Sequence, residues 1–326
     1  MNLHETSDSY LELIQATAEH QRIPAVYVEK DYWVTRVLKR LHASDYKHEI
    51  VFKGGTALSK AHRLIERFSE DIDLAARTRD MGDSRRKKLI KAVEQTITQD
   101  LVYQEGHPLE SKHGRFRKTA HAFPTQSKTA EWGQVADTIH VEINALADPE
   151  PATLMPIASL VHDFLAATER ADLIDHFELA PFDVLVLHVE RTLCEKIMGL
   201  VRAGYEEHAH DDFRRRIRHF YDMVMILRQP TYREFLDGDE FLPLLNDVKA
   251  ADRLSMPHAD VWLDPPTTDA SVFADTDAVW QNIKTEFHGN FRDMVYGDDL
   301  PSDDDVLETL NAIKAAIERG GDRDQP

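Results

Sequence analysis

The chain of 326 residues is long enough for one large domain or two smaller ones, and its 42% of hydrophobic residues supplies a sizeable core. No apolar run approaches the length of a membrane span, and the first residues do not resemble a signal peptide, which favours a cytoplasmic protein that does not enter a membrane. The single cysteine, Cys194, excludes an intrachain disulfide and is consistent with a reducing compartment.

The net charge of −19 is unevenly distributed along the chain. Residues 223–326 contain 9 lysines and arginines against 22 aspartates and glutamates, which concentrates the acidity in the C-terminal third. Basic clusters remain at 84–91 (SRRKKLIK), 112–118 (KHGRFRK) and 214–219 (RRRIRH). A polyanion responds to the local field rather than to the total charge, so a nucleic-acid partner stays open. Each cluster is more commonly a solvated helix face or loop.

The apolar spacing predicts mostly helices around a small sheet. Predicted helices cover 1–20, 26–42, 56–68, 84–99, 183–203, 212–228 (with a stretch to 253), 276–294 and 303–319. Predicted strands cover 48–54, 71–76, 101–105 and 139–145. The pattern predicts an α+β fold, in which residues 1–150 form a small mixed-sheet core with N-terminal helices and residues 151–326 form a helical C-terminal lobe.

A glycine pair, Gly54-Gly55, lies between the predicted strand at 48–54 and the helix that follows. Glycine lets a backbone approach a ligand closely, and the first N–H groups of a helix lack internal partners, so this turn suits a phosphate. Strand–Gly–helix turns are also common for structural reasons, and Thr56 or Ser59 is alternatively a helix cap.

Two aspartates follow on the next predicted strand. Asp71 and Asp73 are two residues apart, so both point to the same side of the strand, while Ile72 and Leu74 point to the core. Carboxylates roughly 7 Å apart repel each other unless a cation lies between them, and Mg²⁺ prefers such ligands together with phosphate oxygens. The alternative is a solvated edge strand with surface charges.

A third carboxylate, Glu142, alternates with the apolar residues of the strand predicted at 139–145. If that strand lies beside residues 71–76, Glu142 faces the same metal ions, and two-metal phosphoryl or nucleotidyl transfer commonly uses three such groups. The alternation alone would fit any half-buried strand.

The segment GGTALSKAHRLIERFSEDIDLA (54–75) resembles the signature of the AbiEii/AbiGii family of nucleotidyltransferase toxins, which belong to bacterial and archaeal toxin–antitoxin and phage-defence systems. Further segments resemble the same family in the same order: VEKDYWVTRVLKRL (28–41), ERTLCEKIMGLVRAG (190–204), RIRHFYDMVMIL (216–227) and FRDMVYGDDLPSDDDVLETLNAI (291–313). The resemblance thus spans nearly the whole chain.

The resemblance implies a DNA polymerase β-like nucleotidyltransferase core and a helical C-terminal lobe that completes the active-site cleft. It implies Mg²⁺, with Mn²⁺ as the alternative ion, a nucleoside triphosphate as substrate, and an RNA acceptor, often the 3′ end of tRNA, whose modification blocks translation and growth. It also implies a cognate winged-helix antitoxin encoded nearby.

The resemblance assigns roles to individual residues. It implies that Asp71 and Asp73 bind the metal, and that Lys196 and Asp222 are the distal active-site residues. Glu142 is added as the third acid by the strand alternation and not by the resemblance. Residues expected to border the triphosphate are Gly54, Gly55, Thr56, Ser59 and Lys60. The wider superfamily often has serine where this chain has Gly55, and Thr56 is then the expected source of the hydroxyl.

Two residues of the helical half have ordinary alternatives. Without the resemblance, Lys196 would be predicted to lie at the surface. Asp222 follows Arg214 and Arg218 at helical spacing, so an intrahelical ion pair is equally consistent with the sequence.

Two classes of function remain open. The first is an enzyme that adds nucleotides to an RNA end, or alternatively transfers a phosphoryl or nucleotidyl group to a protein hydroxyl, such as one on the antitoxin, or to a small molecule. The second is a non-catalytic protein that binds a nucleotide or a partner. The intact acids Asp71, Asp73 and Glu142 favour the enzyme, because a pure binder does not need a costly carboxylate cluster.

Overall fold

The computed structural model describes residues 1–69, 71–79, 81–125, 138–256, 258–297 and 299–321. The chain forms two compact units, the first made of residues 1–62 and 68–187 and the second of residues 63–67 and 188–326. This division lies later in the chain than the boundary predicted between residues 150 and 151, because a strand at 152–157 pairs with one at 182–187 within the first unit.

Within the described residues, the first unit contains six α-helices, one short 3-10 helix (Leu3–Glu5) and eight strands. The helices are α1 (Ser7–Gln21), α2 (Ala25–His42), α3 (Gly54–Lys60), α4 (Asp83–Ile97), α5 (Leu160–Ala167) and α6 (Ala171–His176). The strands are β1 (Ile50–Lys53), β2 (Asp71–Ala76), β3 (Val102–Tyr103), β4 (Ser111–His113), β5 (Phe116–Ala122), β6 (Thr138–Asn144), β7 (Ala152–Ile157) and β8 (Phe182–Leu187).

The described strands form one mixed sheet in the order β3-β5-β6-β2-β1-β8-β7, with β4 paired to β5. Strand β2 pairs with β6 in parallel and with β1 in antiparallel orientation, and β1 pairs with β8 in parallel. The two predicted strands that carry the acids are therefore neighbours at the centre of the sheet, as the sequence analysis required.

The core of the first unit lies on one face of this sheet, against α1, α2, α4 and α5. Alternation along the strands decides which side chains enter it. Phe52, Ile72, Leu74 and Val141 are fully buried on this face. The residues between them, including Asp71, Asp73 and Glu142, consequently point to the opposite face of the sheet.

The helix predicted at 56–68 is wrong in its second half, because α3 ends at Lys60. The chain adopts a positive φ of 53° at Arg63 and then leaves the first unit for five residues. In the second unit, Tyr296 N donates to Glu66 O at 2.9 Å, and Arg67 forms an isolated β-bridge with Val295. Ile65 is thus buried as part of an extended segment rather than as part of a helical face.

The second unit is helical throughout its described residues, apart from the 63–67 segment and its bridge. Its helices are α7 (Val189–Ala203), α8 (Ala209–Arg215), α9 (Ile217–Leu227), α10 (Pro230–Asp237), α11 (Phe241–Ser255), α12 (Asp260–Leu263), α13 (Ser271–Ala274), α14 (Thr276–His288) and α15 (Asp303–Gly321). Buried aromatic rings hold them together, among them Trp280, which contacts Phe220 and Phe287. None of the described helices is long and apolar enough to cross a membrane.

The helix predicted at 183–203 is a strand followed by a helix. Val184 and Val186 are buried against the main core, while Leu185 and Leu187 join Val51 in a small cluster on the other face of the sheet. A strand buried on both faces is a continuous apolar run, which periodicity does not separate from a buried helix.

Candidate active site

A row of four charged residues crosses the face of the sheet opposite the core of the first unit. In the strand register, Lys118 on β5 is opposite Glu142 on β6, Glu142 is beside Asp73 on β2, and Asp73 is opposite Lys53 on β1. Directly paired residues share a face, so the row places two carboxylates between two ammonium groups. The predicted neighbourhood of Glu142 and the aspartate pair is confirmed by this register.

A second row lies two residues further along, where Asp71 is beside His140. His140 Nδ1 is 3.0 Å from Asp71 Oδ1, and the imidazole is buried. Lys118 Nζ lies 3.7 Å from Asp71 Oδ2 and 3.6 Å from Glu142 Oε2, so its ammonium bridges the two rows. The side chains of Asp71 and Glu142 remain 21% and 27% exposed, which leaves both carboxylates open to a ligand.

The neighbouring charges and burial change the pKa of Asp73. Burial raises the pKa of Asp73, and the neighbouring Glu142 and Asp71 raise it further, to about 7, although Lys53 and Lys118 act in the opposite direction. Like charges that share a small space cannot all ionise without a compensating cation. The charge of Asp73 therefore depends on what else is bound nearby.

The raised pKa of Asp73 predicts how binding of a divalent ion depends on pH. The protonated carboxyl is a poor ligand, so a proton and the ion compete for Asp73 at and below a pH of about 7. We expect the affinity of the nucleotide-free protein for Mn²⁺ to fall about tenfold per pH unit below this point and to level off above it. Titrations between about pH 5.5 and pH 8.5 measure this dependence. A constant affinity across this range would contradict the prediction.

Gly54 begins α3 at the end of the row and has a φ of +74°. A Cβ built there would overlap Asp73 Oδ2 and would lie 2.9 Å from Asp73 Cγ. Glycine is thus required at this position for two reasons, the backbone conformation and the room it leaves for the Asp73 carboxylate. The pattern of residues predicted only that Gly54 lets the backbone come close to a phosphate, so making room for Asp73 is a more specific role.

Gly54→Ala is expected to reduce stability by about 3 kcal/mol and to suppress activity, because it combines left-handed strain with a collision at Asp73. Gly106→Ala is a matched control, since Gly106 has a φ of +76° and nothing within 4 Å of the added Cβ. The control should lose only about 1 kcal/mol of stability, which is the cost of the left-handed backbone strain alone. Urea unfolding of both variants measures the difference. Equal losses would show that the collision at Asp73 is absent.

The other residues predicted to border the triphosphate are engaged within the first unit. Thr56 is buried, and its hydroxyl donates to the carbonyl oxygen of Asp71. Ser59 Oγ donates to Thr56 O at 3.1 Å. Lys60 forms a largely buried ion pair with Asp31, whose second carboxylate oxygen accepts from Leu160 N at 2.8 Å. Gly55 is buried in the first turn of α3. Nucleotide binding by these residues stays a prediction.

The three acids Asp71, Asp73 and Glu142, on the adjacent strands β2 and β6, are together called the carboxylate row. Their donor set fits a hard divalent cation, because carboxylate oxygens are the ligands that Mg²⁺ and Mn²⁺ prefer. Within the ranges that the structure describes, no group of three or more histidine, cysteine, aspartate or glutamate side chains is already arranged to hold an ion. Lys118 Nζ occupies the position between two of the three acids. Metal binding by Asp71, Asp73 and Glu142 stays a prediction, and it requires this ammonium to move away.

The predicted residues of the helical half meet in a buried cluster within the second unit. Asp222 is fully buried on α9, and Lys196 on α7 donates to its Oδ2 at 2.7 Å. Arg67, from the 63–67 segment, donates to both oxygens of the same carboxylate, from Nε at 2.6 Å and from an η nitrogen at 2.7 Å. The alternatives of a surface lysine and of an ion pair between Asp222 and a neighbour on its own helix are both wrong.

This buried triad has asymmetric electrostatics. Burial acts to raise the pKa of Asp222, but Arg67 and Lys196 outweigh it and hold the pKa well below its usual range. Burial lowers the pKa of Lys196 despite its contact with Asp222. The pKa of the nearby His219 is far below its usual value, first through burial and then through Lys196. A shared cleft for Lys196 and the aspartate pair stays a prediction.

Three residues at these sites were missed by the sequence analysis. Lys118 belongs to the basic cluster at 112–118, but only the strand register shows that it meets the acids. His140 precedes Glu142 by two residues on the same polar face, so alternation could have identified it. Arg67 pairs with a residue far along the chain, and no local pattern indicates this pairing.

Comparison with known proteins gives the same assignment as the fold and the carboxylate row. Residues 36–309 match the family model described as the nucleotidyl transferase AbiEii toxin of type IV toxin–antitoxin systems. Among solved structures, the chain is similar to MenT4, a nucleotidyltransferase toxin from Mycobacterium tuberculosis. The TM-score is 0.55 at 15% sequence identity, over 94% of this chain and 89% of that one, so this likeness supports the fold. No curated protein sequence matches the chain. Since the family model covers most of its length, the chain belongs to the AbiEii family of nucleotidyltransferase toxins and is a nucleotidyltransferase.

Proposed function

We propose that this nucleotidyltransferase transfers nucleotides from a nucleoside triphosphate to an RNA acceptor, the 3′ end of tRNA, and thereby blocks translation and growth. The observation that carries the proposal is the row formed by Asp71, Asp73 and Glu142 on adjacent central strands. Such a row suits nucleotidyl transfer, where charge on the triphosphate must be neutralised as the bond to the leaving pyrophosphate breaks.

In this proposal Asp71, Asp73 and Glu142 would hold Mg²⁺, with Mn²⁺ as a substitute, and the ion would supply positive charge to neutralise the triphosphate. His140 contributes by fixing Asp71 Oδ1 through its contact at 3.0 Å, so that the other oxygen of Asp71 can face the ligand. Gly54 leaves room for the Asp73 carboxylate. Asp73 must be deprotonated to bind the ion, and because its pKa is raised to about 7 this happens only near neutral pH and above.

Support for an RNA acceptor comes from one of the three basic clusters. Arg85, Lys87, Lys88 and Lys91 are exposed along α4, in the same unit as the carboxylate row. Surface cations of this kind attract phosphates without regard to sequence.

The other two basic clusters are largely neutralised by ion pairs within their own units. At 112–118, Arg115 binds Asp83 and Arg117 binds Glu94. At 214–219, Arg214 binds Asp211, and Arg215 and Arg216 bind Asp212. The cluster on α4 is therefore the one we propose to contact the acceptor.

The family description includes a type IV antitoxin, and we propose a winged-helix protein encoded nearby as this partner. The protein would act in the cytoplasm, where tRNA and nucleoside triphosphates are available.

The proposal is tested by incubating the purified protein with each labelled nucleoside triphosphate, total tRNA and Mg²⁺. We expect label in the tRNA fraction and a tRNA mass increased by whole nucleotides. Repeating the reaction with tRNA whose 3′ end has been oxidised should abolish the product. Label that appears instead on the protein itself or on an added antitoxin would show transfer to a protein hydroxyl and would overturn the RNA acceptor.

A further inference from the structure

We propose that Lys118 is a built-in counter-ion that keeps the carboxylate row closed to free divalent cations, and that its ammonium passes to the triphosphate when the metal–nucleotide complex binds. The inference rests on the proposed function, because it assumes that Asp71, Asp73 and Glu142 are the metal ligands. It adds a residue and an order of binding that the proposed function does not contain.

The position of the Lys118 ammonium carries the argument. Its Nζ lies 3.7 Å from Asp71 Oδ2 and 3.6 Å from Glu142 Oε2, between acids on two different strands. A magnesium ion bound by the same oxygens would lie about 2.1 Å from them. An ammonium and a divalent ion so close together would repel each other strongly at the low effective dielectric of a half-buried site. The ion and the lysine therefore exclude each other.

The strand register fixes the backbone of Lys118 next to the acids. Lys118 is directly opposite Glu142 in the antiparallel pairing of β5 with β6, so its Cα cannot leave the row without breaking the sheet. Only the four-carbon side chain of Lys118 can move. This side chain is 21% exposed, so its ammonium can rotate towards solvent. The conflict with the ion is thus resolved by side-chain rotation alone.

Displacing this ammonium has different consequences with and without nucleotide. When a free ion binds, the lysine loses two carboxylate partners and gains only water. When the ion enters with a triphosphate, the lysine gains phosphate oxygens in place of the carboxylates. Nucleotide should therefore strengthen metal binding, and by reciprocity metal should strengthen nucleotide binding.

The test measures Mn²⁺ binding to the whole protein by the loss of the electron paramagnetic resonance signal of free Mn²⁺. Without nucleotide, Lys118→Met is expected to bind Mn²⁺ about tenfold more tightly than the unmodified chain, because the competing charge is gone. Added non-hydrolysable triphosphate should then strengthen Mn²⁺ binding less than it does in the unmodified protein. Lys118→Gln should behave like Lys118→Met, and it replaces Lys118→Met in the test if the methionine variant does not fold.

Two controls separate the inference from the effect of total charge. Lys118→Arg keeps the cation and should retain weak metal binding, and Lys47→Met removes an exposed lysine of the same unit and should change nothing. Unchanged or weaker Mn²⁺ binding in both neutral Lys118 variants would overturn the inference. If Asp71→Asn and Asp73→Asn leave Mn²⁺ binding intact, the metal site of the proposed function fails instead, and the two failures are thereby distinguished.

Discussion

Asp73→Asn is expected to abolish nucleotide transfer while raising the stability of the ion-free protein at alkaline pH. The amide keeps the size of the side chain but removes the charge that binds the ion, so turnover should fall about a thousandfold or more. The same change relieves the repulsion from Glu142 and Asp71. The pKa of Asp73 is raised in the folded state, which means that the unmodified protein loses stability as the pH rises through about 7.

Thermal melts at pH 5 and pH 8.5, together with transfer assays, measure both effects of Asp73→Asn. The variant should be about 1–2 kcal/mol more stable at the higher pH. The difference should shrink at the lower pH, where Asp73 is protonated in the folded state and no longer repels Glu142 and Asp71. Asp45→Asn, at an exposed turn of the same unit, controls for the loss of one negative charge. Full activity in Asp73→Asn would remove Asp73 from the metal site.

Asp222→Asn is expected to destabilise the second unit by about 3–5 kcal/mol, because it leaves two buried cations without a counter-charge. Arg67 and Lys196 both bind this carboxylate, and neither has a side chain more than 8% exposed. The amide oxygen can still accept from these donors, but the amide group replaces the second acceptor and neutralises neither cation. The loss of activity that the family resemblance predicts for Asp222 would then include a loss of folded protein.

The pH dependence of unfolding shows whether the lost stability of Asp222→Asn comes from the missing negative charge. The folded-state pKa of Asp222 is depressed, so its contribution to stability is present above the pKa of an unfolded aspartate and is lost as the pH falls. The variant should therefore differ most from the unmodified protein at neutral pH and least at acid pH. Asp247→Asn, at an exposed position on α11, is the control. Equal stability of Asp222→Asn and the control at pH 7 would show that the triad is dispensable.

The sequence predicted the centre of the sheet and its acids because their pattern is local. Asp71 and Asp73 alternate with Ile72 and Leu74, and the same period of two places Glu142 on the polar face of its own strand. The pairing of these two strands was a condition in the sequence analysis, and the structure supplied it.

Other features depend on contacts between distant parts of the chain. Arg67 has its partner 155 residues away, so neither the end of α3 nor the buried triad has a local signature. The strand at 182–187 was mistaken for helix because burial on both faces removes its alternation. Lys118 was noticed only as a member of a basic cluster, since its role depends on which strand lies beside β5.

The excursion of residues 63–67 into the second unit limits how this protein can be cut or recombined. A fragment that begins at His188 would lack Arg67 and would leave Asp222 with Lys196 but without its bidentate guanidinium. It would also lose the backbone partner of Tyr296, because Glu66 would be absent. Expression of the helical half as an isolated module should consequently fail, and exchange of C-terminal halves between relatives should succeed only when the short segment after α3 is exchanged with them. The five residues and the helical half must therefore be kept together in any design, although more than a hundred positions separate them in the chain.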